Sequence, residues 1–139
     1  MNTLKTSNKI ESVKIEDSTR LIFLPEHLPK AYLLFEKHCF RSMEIICNSY
    51  NGGYWDFFNL SNGGFYIAPT EIESYQICVI DNYFDGILSA KATGIVTTLF
   101  ALNALSWETK SSHVIDKYEL LIAFAKQHKE CKLIFSAID

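Results

Sequence analysis

Between residues 50 and 69 the chain reads YNGGYWDFFNLSNGGFYIAP, two Asn-Gly-Gly triplets and seven aromatic side chains in twenty positions. Asn-Gly supplies the positive φ that tight turns need, and the second triplet lies between the β-rich runs YWDFFNL and GFYIA, so it reads as a hairpin. A two-residue turn at Asn62-Gly63 sets Ser61 opposite Gly64 and pairs Leu60 with Phe65, Asn59 with Tyr66 and Phe58 with Ile67. Phe58, Leu60, Phe65 and Ile67 then share one face, and Trp55, Phe57, Asn59, Tyr66 and Ala68 the other. Both faces are largely apolar, whereas a pair with one solvated face alternates apolar and polar residues. Either helices cover both sides or one aromatic face is kept for a partner.

The first triplet follows a helical pattern. Tyr32, Phe35, Cys39, Met43, Ile46 and Tyr50 recur at steps of three or four. Pro29 suits the first turn of that helix, and Asn51-Gly52 is expected to stop it with a left-handed residue. Downstream, SYQICVID and NYFDGILSA read as two further strands that turn at Asp81-Asn82. Ser89 is placed to cap AKATGIVTTLFALNAL, with Ile95, Leu99, Leu102 and Leu105 on one face. Ser111 or Ser112 caps a third helix that turns Val114, Tyr118, Leu121, Ile122 and Ala125 inward, and KECKLIFSAID ends as a short helix. The predicted fold is α+β, a single domain over residues 19–139 with an antiparallel β-meander of three to four strands packed with about four helices. Residues 1–18, polar apart from hints of strand at Val13 and Ile15, read as a flexible N-terminal arm.

Charge narrows the partners. The 139 residues hold 13 Lys and Arg against 16 Asp and Glu, a net charge of -3. That is neither the basic face of a phosphate-gripping domain nor the carboxylate surplus of a DNA mimic. No Lys or Arg occurs between Arg41 and Lys91, so stacking of single-stranded bases on Tyr54, Trp55, Phe57 and Tyr66 lacks a nearby cationic groove. Strong direct DNA binding is not expected.

Catalytic and cofactor motifs are sparse. Neither triplet is followed by the Lys-Ser/Thr of a Walker loop, and GxGxxG, GxSxG and HExxH are missing. Cys39, Cys47, Cys78 and Cys131 form no CxxC, and His27, His38, His113 and His128 share no ligand spacing, so free buried thiols are expected, with no metal and no cofactor. Asp81 and Asp85 are the one carboxylate pair near enough to a turn to be weighed as acid and base, although Asp beside a turn usually bonds its own backbone. The N-terminal segment has no apolar signal-peptide run and no 18 apolar residues run together, so a cytoplasmic chain off the membrane is expected.

The triplet segment, with FDGILSAKATGIVTTLFALNAL after it, resembles the ArdB/KlcA antirestriction family, and the likeness runs from about RLIFLP to the terminal AID. The resemblance implies a small α+β protein of plasmids and other mobile elements that relieves type I restriction of incoming DNA, without DNA mimicry, cofactor or assigned catalytic residue. The partner it implies is the type I restriction-modification complex or an accessory host protein. Contact is expected through Tyr54, Trp55, Phe57, Asn59 and Tyr66, because aromatic side chains carry much of the binding energy at a desolvated centre. Asn51, Gly52, Asn62 and Gly63 are assigned to turns. The rival functions are a weak single-strand binder using the same rings and a small enzyme using Asp81 and Asp85.

Overall fold

The structure is a computed structural model and describes residues 9–139. Its elements run β1 (Ser12–Lys14), α1 (Arg20–His27), α2 (Tyr32–Ile46), β2 (Trp55–Leu60), β3 (Phe65–Pro69), β4 (Ser74–Val79), β5 (Phe84–Ser89), α3 (Ala90–Thr109), α4 (Ser112–Gln127) and α5 (Cys131–Ile138). The α+β class with antiparallel strands is as expected, but the strands form two sheets, β1-β2-β3 and β4-β5, rather than one meander.

The split has a local cause. The free edge of β3 is taken by α3, whose Thr98 hydroxyl accepts a hydrogen bond from the Ile67 N–H (3.2 Å) and donates to the Ile67 carbonyl (3.3 Å). Gly94 makes that approach possible, since a Cβ there would lie 2.3 Å from the Ile67 carbonyl oxygen. At Ile67, the middle of β3, both backbone groups on that edge are thus bonded to α3 and not to β4. Ser89 caps α3 as expected, its Oγ accepting from the Ala92 N–H at 3.1 Å. The helix is buried on every side from Ala92 to Leu99, not only along the stripe read from its sequence. It is packed by α2, α4 and β3, and a helix enclosed in this way loses its amphipathic pattern.

The second triplet turns the hairpin by a three-residue loop, not the expected two. Gly63 donates to the Leu60 carbonyl (3.0 Å) and Leu60 to the Gly64 carbonyl (3.0 Å), while Gly63 sits at φ +96 and Asn62 keeps negative φ. This is the tight turn followed by a left-handed glycine bulge that three-residue hairpins use. The register slips by one accordingly. Asn59 faces Phe65, Phe58 faces Tyr66 and Phe57 faces Ile67. A one-residue slip exchanges faces, so Tyr66 joins Phe58 and Phe65 joins Phe57. Helices cover both sides. Phe23 of α1 stacks on Phe57 and Phe35 of α2 meets Phe65 edge-on, while on the opposite face Phe124 of α4 stacks on Tyr66.

The first triplet does not stop the preceding helix. α2 ends at Ile46, where the extended, buried Cys47 donates to the Met43 carbonyl. Gly52 and Gly53, at φ +87 and +121, instead bend the loop that follows. The expected arm also differs. Residues 1–8 of it lie outside the described residues, but Ser12–Lys14 pairs with β2. Ser61 and Glu11 exchange bonds of 2.8 and 2.9 Å, and the Gln127 amide brackets the backbone of Ile10 at 3.0 and 2.7 Å. A three-residue strand suffices because the edge of β2 carries backbone groups that need partners. Two of the four free cysteines, Cys39 and Cys47, are buried as expected, whereas Cys78 is exposed on β4 and Cys131 half-buried. Burial pushes the Cys39 thiol up to about 12, which keeps it protonated and inert.

Candidate functional site

The structure divides the expected aromatic surface. Trp55, Phe57 and Tyr66 are 3%, 8% and 1% exposed. Trp55 packs edge-on to Phe40 and donates its indole N–H to the Tyr50 hydroxyl (3.0 Å). Tyr66 lies between Phe58 and Phe124, and burial lifts its phenol to about 12. Rings already covered by helices neither present a contact face nor stack bases, so both readings fail at these three residues. Tyr54, 49% exposed, and Asn59 remain at the surface. Asp81 and Asp85 are also exposed, and the Gln76 side-chain amide holds Asp85 at 2.7 Å.

Tyr54 belongs to a cluster that the sequence reading did not assemble. The Arg20 guanidinium lies 4.3 Å from the Tyr54 ring centroid and 4.1 Å from that of Phe57. The Tyr54 hydroxyl donates to Asp17 (3.1 Å), and Lys14 meets Asp56 at 3.9 Å nearby. Beside Arg20 opens a groove of about 310 Å³ between α1 and α2, walled by Leu21, Leu24 and Pro25 of α1 and by Tyr32 and Leu33 of α2, with Phe57 beneath. Leu21 is 92% exposed and Leu33 65%. Glu36 lines the same groove, its carboxyl raised by burial.

A second cluster ties the hairpin tip to the helices. His27, the last residue of α1, accepts at Nδ1 from the Lys117 ammonium (2.9 Å) and donates from Nε2 to Asn59 Oδ1 (2.7 Å), an assignment fixed by the charge on Lys117. Lys117 also donates to the Gly63 carbonyl (2.8 Å), and His113 to the carbonyl of His27 (2.7 Å). Asn62 completes the tie, donating to the Leu120 carbonyl (3.0 Å) while accepting from Gly64 (2.9 Å). Asn59 is thus engaged in holding the fold. Among the described residues no group of three or more His, Cys, Asp or Glu is placed to hold a metal, and no helix is long and apolar enough to cross a membrane.

The family model for antirestriction proteins matches residues 48–139, from the loop ahead of the first triplet to the end of α5. The chain belongs to the antirestriction protein family. Two Escherichia coli proteins named antirestriction protein KlcA are similar throughout. One is 40% identical over the whole of both chains, and the other 41% identical over 90% of this chain and 92% of its own. A solved structure superposes with a TM-score of 0.88 at 38% identity, covering both chains completely. It comes from work describing the KlcA and ArdB proteins as having a novel fold and antirestriction activity against type I DNA restriction systems in vivo but not in vitro. The matched region includes both glycine triplets, which in this antirestriction protein turn the backbone, and leaves α1 and α2 outside.

Signals for the missed residues were present. Leu33 stands off the Tyr32, Phe35, Cys39 stripe, and Arg20 opens an apolar run with a cation where a helix start favours an anion. The tie between His27 and Lys117 joins residues 90 apart and leaves no local trace.

Proposed function

We propose that this chain relieves type I restriction of incoming DNA without catalysing a reaction, by contact with a protein of the cell. The carrying observation is that its structural neighbours are described as active in vivo but not in vitro. An inhibitor that needed only the purified restriction enzyme would act in both settings. The contact therefore involves either an accessory host protein or a state of the restriction complex that exists in the cell. The balance of 13 basic against 16 acidic residues supports a protein partner over DNA and over imitation of DNA. The place of action is the cytoplasm, where incoming DNA meets the restriction complex.

The test is the plating efficiency of unmodified phage on cells that carry a type I system and express this chain. Plating is expected to rise while modification of the surviving phage continues. Equal plating with and without the chain, at verified expression, would overturn the reading.

A further inference from the structure

Arg20 and Glu36 are opposite charges with no ion-pair partner among the described residues, and both line the apolar groove between α1 and α2. We propose that this groove docks an amphipathic helix of a partner protein, with a carboxylate of that helix on Arg20, its apolar stripe over Leu21, Leu24 and Leu33, and a basic side chain facing Glu36. This rests on the reading that the chain works by protein contact and names the surface that makes it.

Arg20 is poised for such a ligand. The Tyr54 and Phe57 rings hold its guanidinium at 4.3 and 4.1 Å, so little side-chain freedom remains to be lost on binding. Its planar fork of N–H donors matches a carboxylate in two-point contact. Helix stability does not account for the residue, because a cation in the first turn opposes the helix dipole. Glu36 is the complementary pole. Its half-buried carboxyl is raised by desolvation, a cost that an incoming cation offsets. Between the poles, Leu21 and Leu33 expose apolar surface that a partner would remove from water.

A helical occupant follows from the walls. Both are helices whose backbone bonds are internal, so an extended segment would find no strand edge to pair with, whereas a helix satisfies its own backbone. A second cleft, beside the exposed Trp107, is also lined by a basic and an acidic residue, Lys110 and Glu119, but its cation is a lysine held 5.3 Å over the Trp107 ring, a point charge without the planar fork that Arg20 offers a carboxylate.

The experiment compares the full chain with Arg20→Gln, Arg20→Lys, Glu36→Lys and Leu33→Asp in the phage-plating assay, with Ile87→Ser, on the exposed face of β5, as control. Leu33 is exposed and Arg20 half-buried against Tyr54 and Phe57, so circular dichroism with a melting curve measures the folded fraction of each variant. Relief is expected to fall about tenfold or more for Arg20→Gln, Glu36→Lys and Leu33→Asp, beyond any loss that the unfolded fraction in the melting curve accounts for. Arg20→Lys, which keeps the charge without the fork, should fall between Arg20→Gln and the full chain, and Ile87→Ser should match the full chain. Photocrosslinking from position 33 in the same cells, with the crosslinked peptides sequenced, should give a helix with acidic, apolar and basic positions within about three turns. Full relief by the folded groove variants overturns the groove while leaving the proposed function standing. Crosslinks to a second copy of this chain or to DNA also overturn it, and failure of the unaltered chain to relieve restriction removes both readings.

Discussion

Gly94 and Gly63 are required for different reasons. At Gly94 a methyl group would lie 2.3 Å from the Ile67 carbonyl oxygen and 2.5 Å from the Ala68 Cα, both backbone atoms that cannot rotate away. Gly94→Ala is expected to destabilise by about 3 kcal/mol or more, the upper range of overpacking, and to lower the melting temperature by about 10 °C. At Gly63 there is room, with Leu120 Cδ1 at 3.8 Å, but φ is +96. Gly63→Val is therefore strained in conformation alone, by about 1–3 kcal/mol, and should lose antirestriction activity only in proportion to the unfolded fraction. Folded Gly63→Val that fails to relieve restriction would make the turn a contact site. The requirement at Gly63 was legible in the sequence because Asn-Gly declares a turn. That at Gly94 was not, since a glycine inside a helical pattern looks like a weakness until the strand it touches is known.

At the scale of elements, the helix start at Ser89 was legible, and that at Ser111 to within one residue of Ser112, because capping is local: Oγ of each cap accepts from the N–H three residues on. The hairpin register was not. A two-residue and a three-residue loop differ by one ladder step, and an apolar residue stands on either face whichever is chosen. The N-terminal strand was only hinted at by Val13 and Ile15 for a related reason, because its pairing rests on backbone groups and on Gln127, far away in sequence. The tie at the hairpin tip gives a pH dependence. Burial is the main cause that lowers the pKa of His27, with Lys117 and His113 of α4 adding to it against the hydrogen bond to Asn59. His128 is lowered too, chiefly by burial. A base whose folded value lies below its unfolded value of about 6.5 binds fewer protons when folded, so its contribution is complete above that pH and is lost as the pH falls below it. Calorimetry from pH 7.5 to 5 should show a midpoint that holds and then declines. A midpoint that rises over this range would contradict the neutral assignment of His27. Lys117→Met, by removing a neighbouring positive charge, should move the His27 titration upward in an NMR experiment.

Over the whole molecule, the sequence carried the fold class and the family but not the contact face. Trp55, Phe57 and Tyr66 looked available because a hairpin with two apolar faces does not say how many helices will cover it. The structure places α1 and α2 on one face and α4 on the other, and leaves Tyr54 at the edge beside Arg20. With basic and acidic residues nearly balanced, purified protein should not retain duplex or single-stranded DNA at physiological salt, and retention that weakens steeply with salt would argue for a cationic groove. The central claim is that relief comes from occupying a partner, not from turnover. It is tested most directly by measuring phage plating on a type I host across graded expression of this chain, with intracellular copy number counted in the same cultures. Relief is expected to rise with copy number and to level off once the chain matches its partner in abundance. Full relief at a few copies per cell, far below the abundance of the restriction complex, would mean that each molecule acts many times and would contradict inhibition by contact.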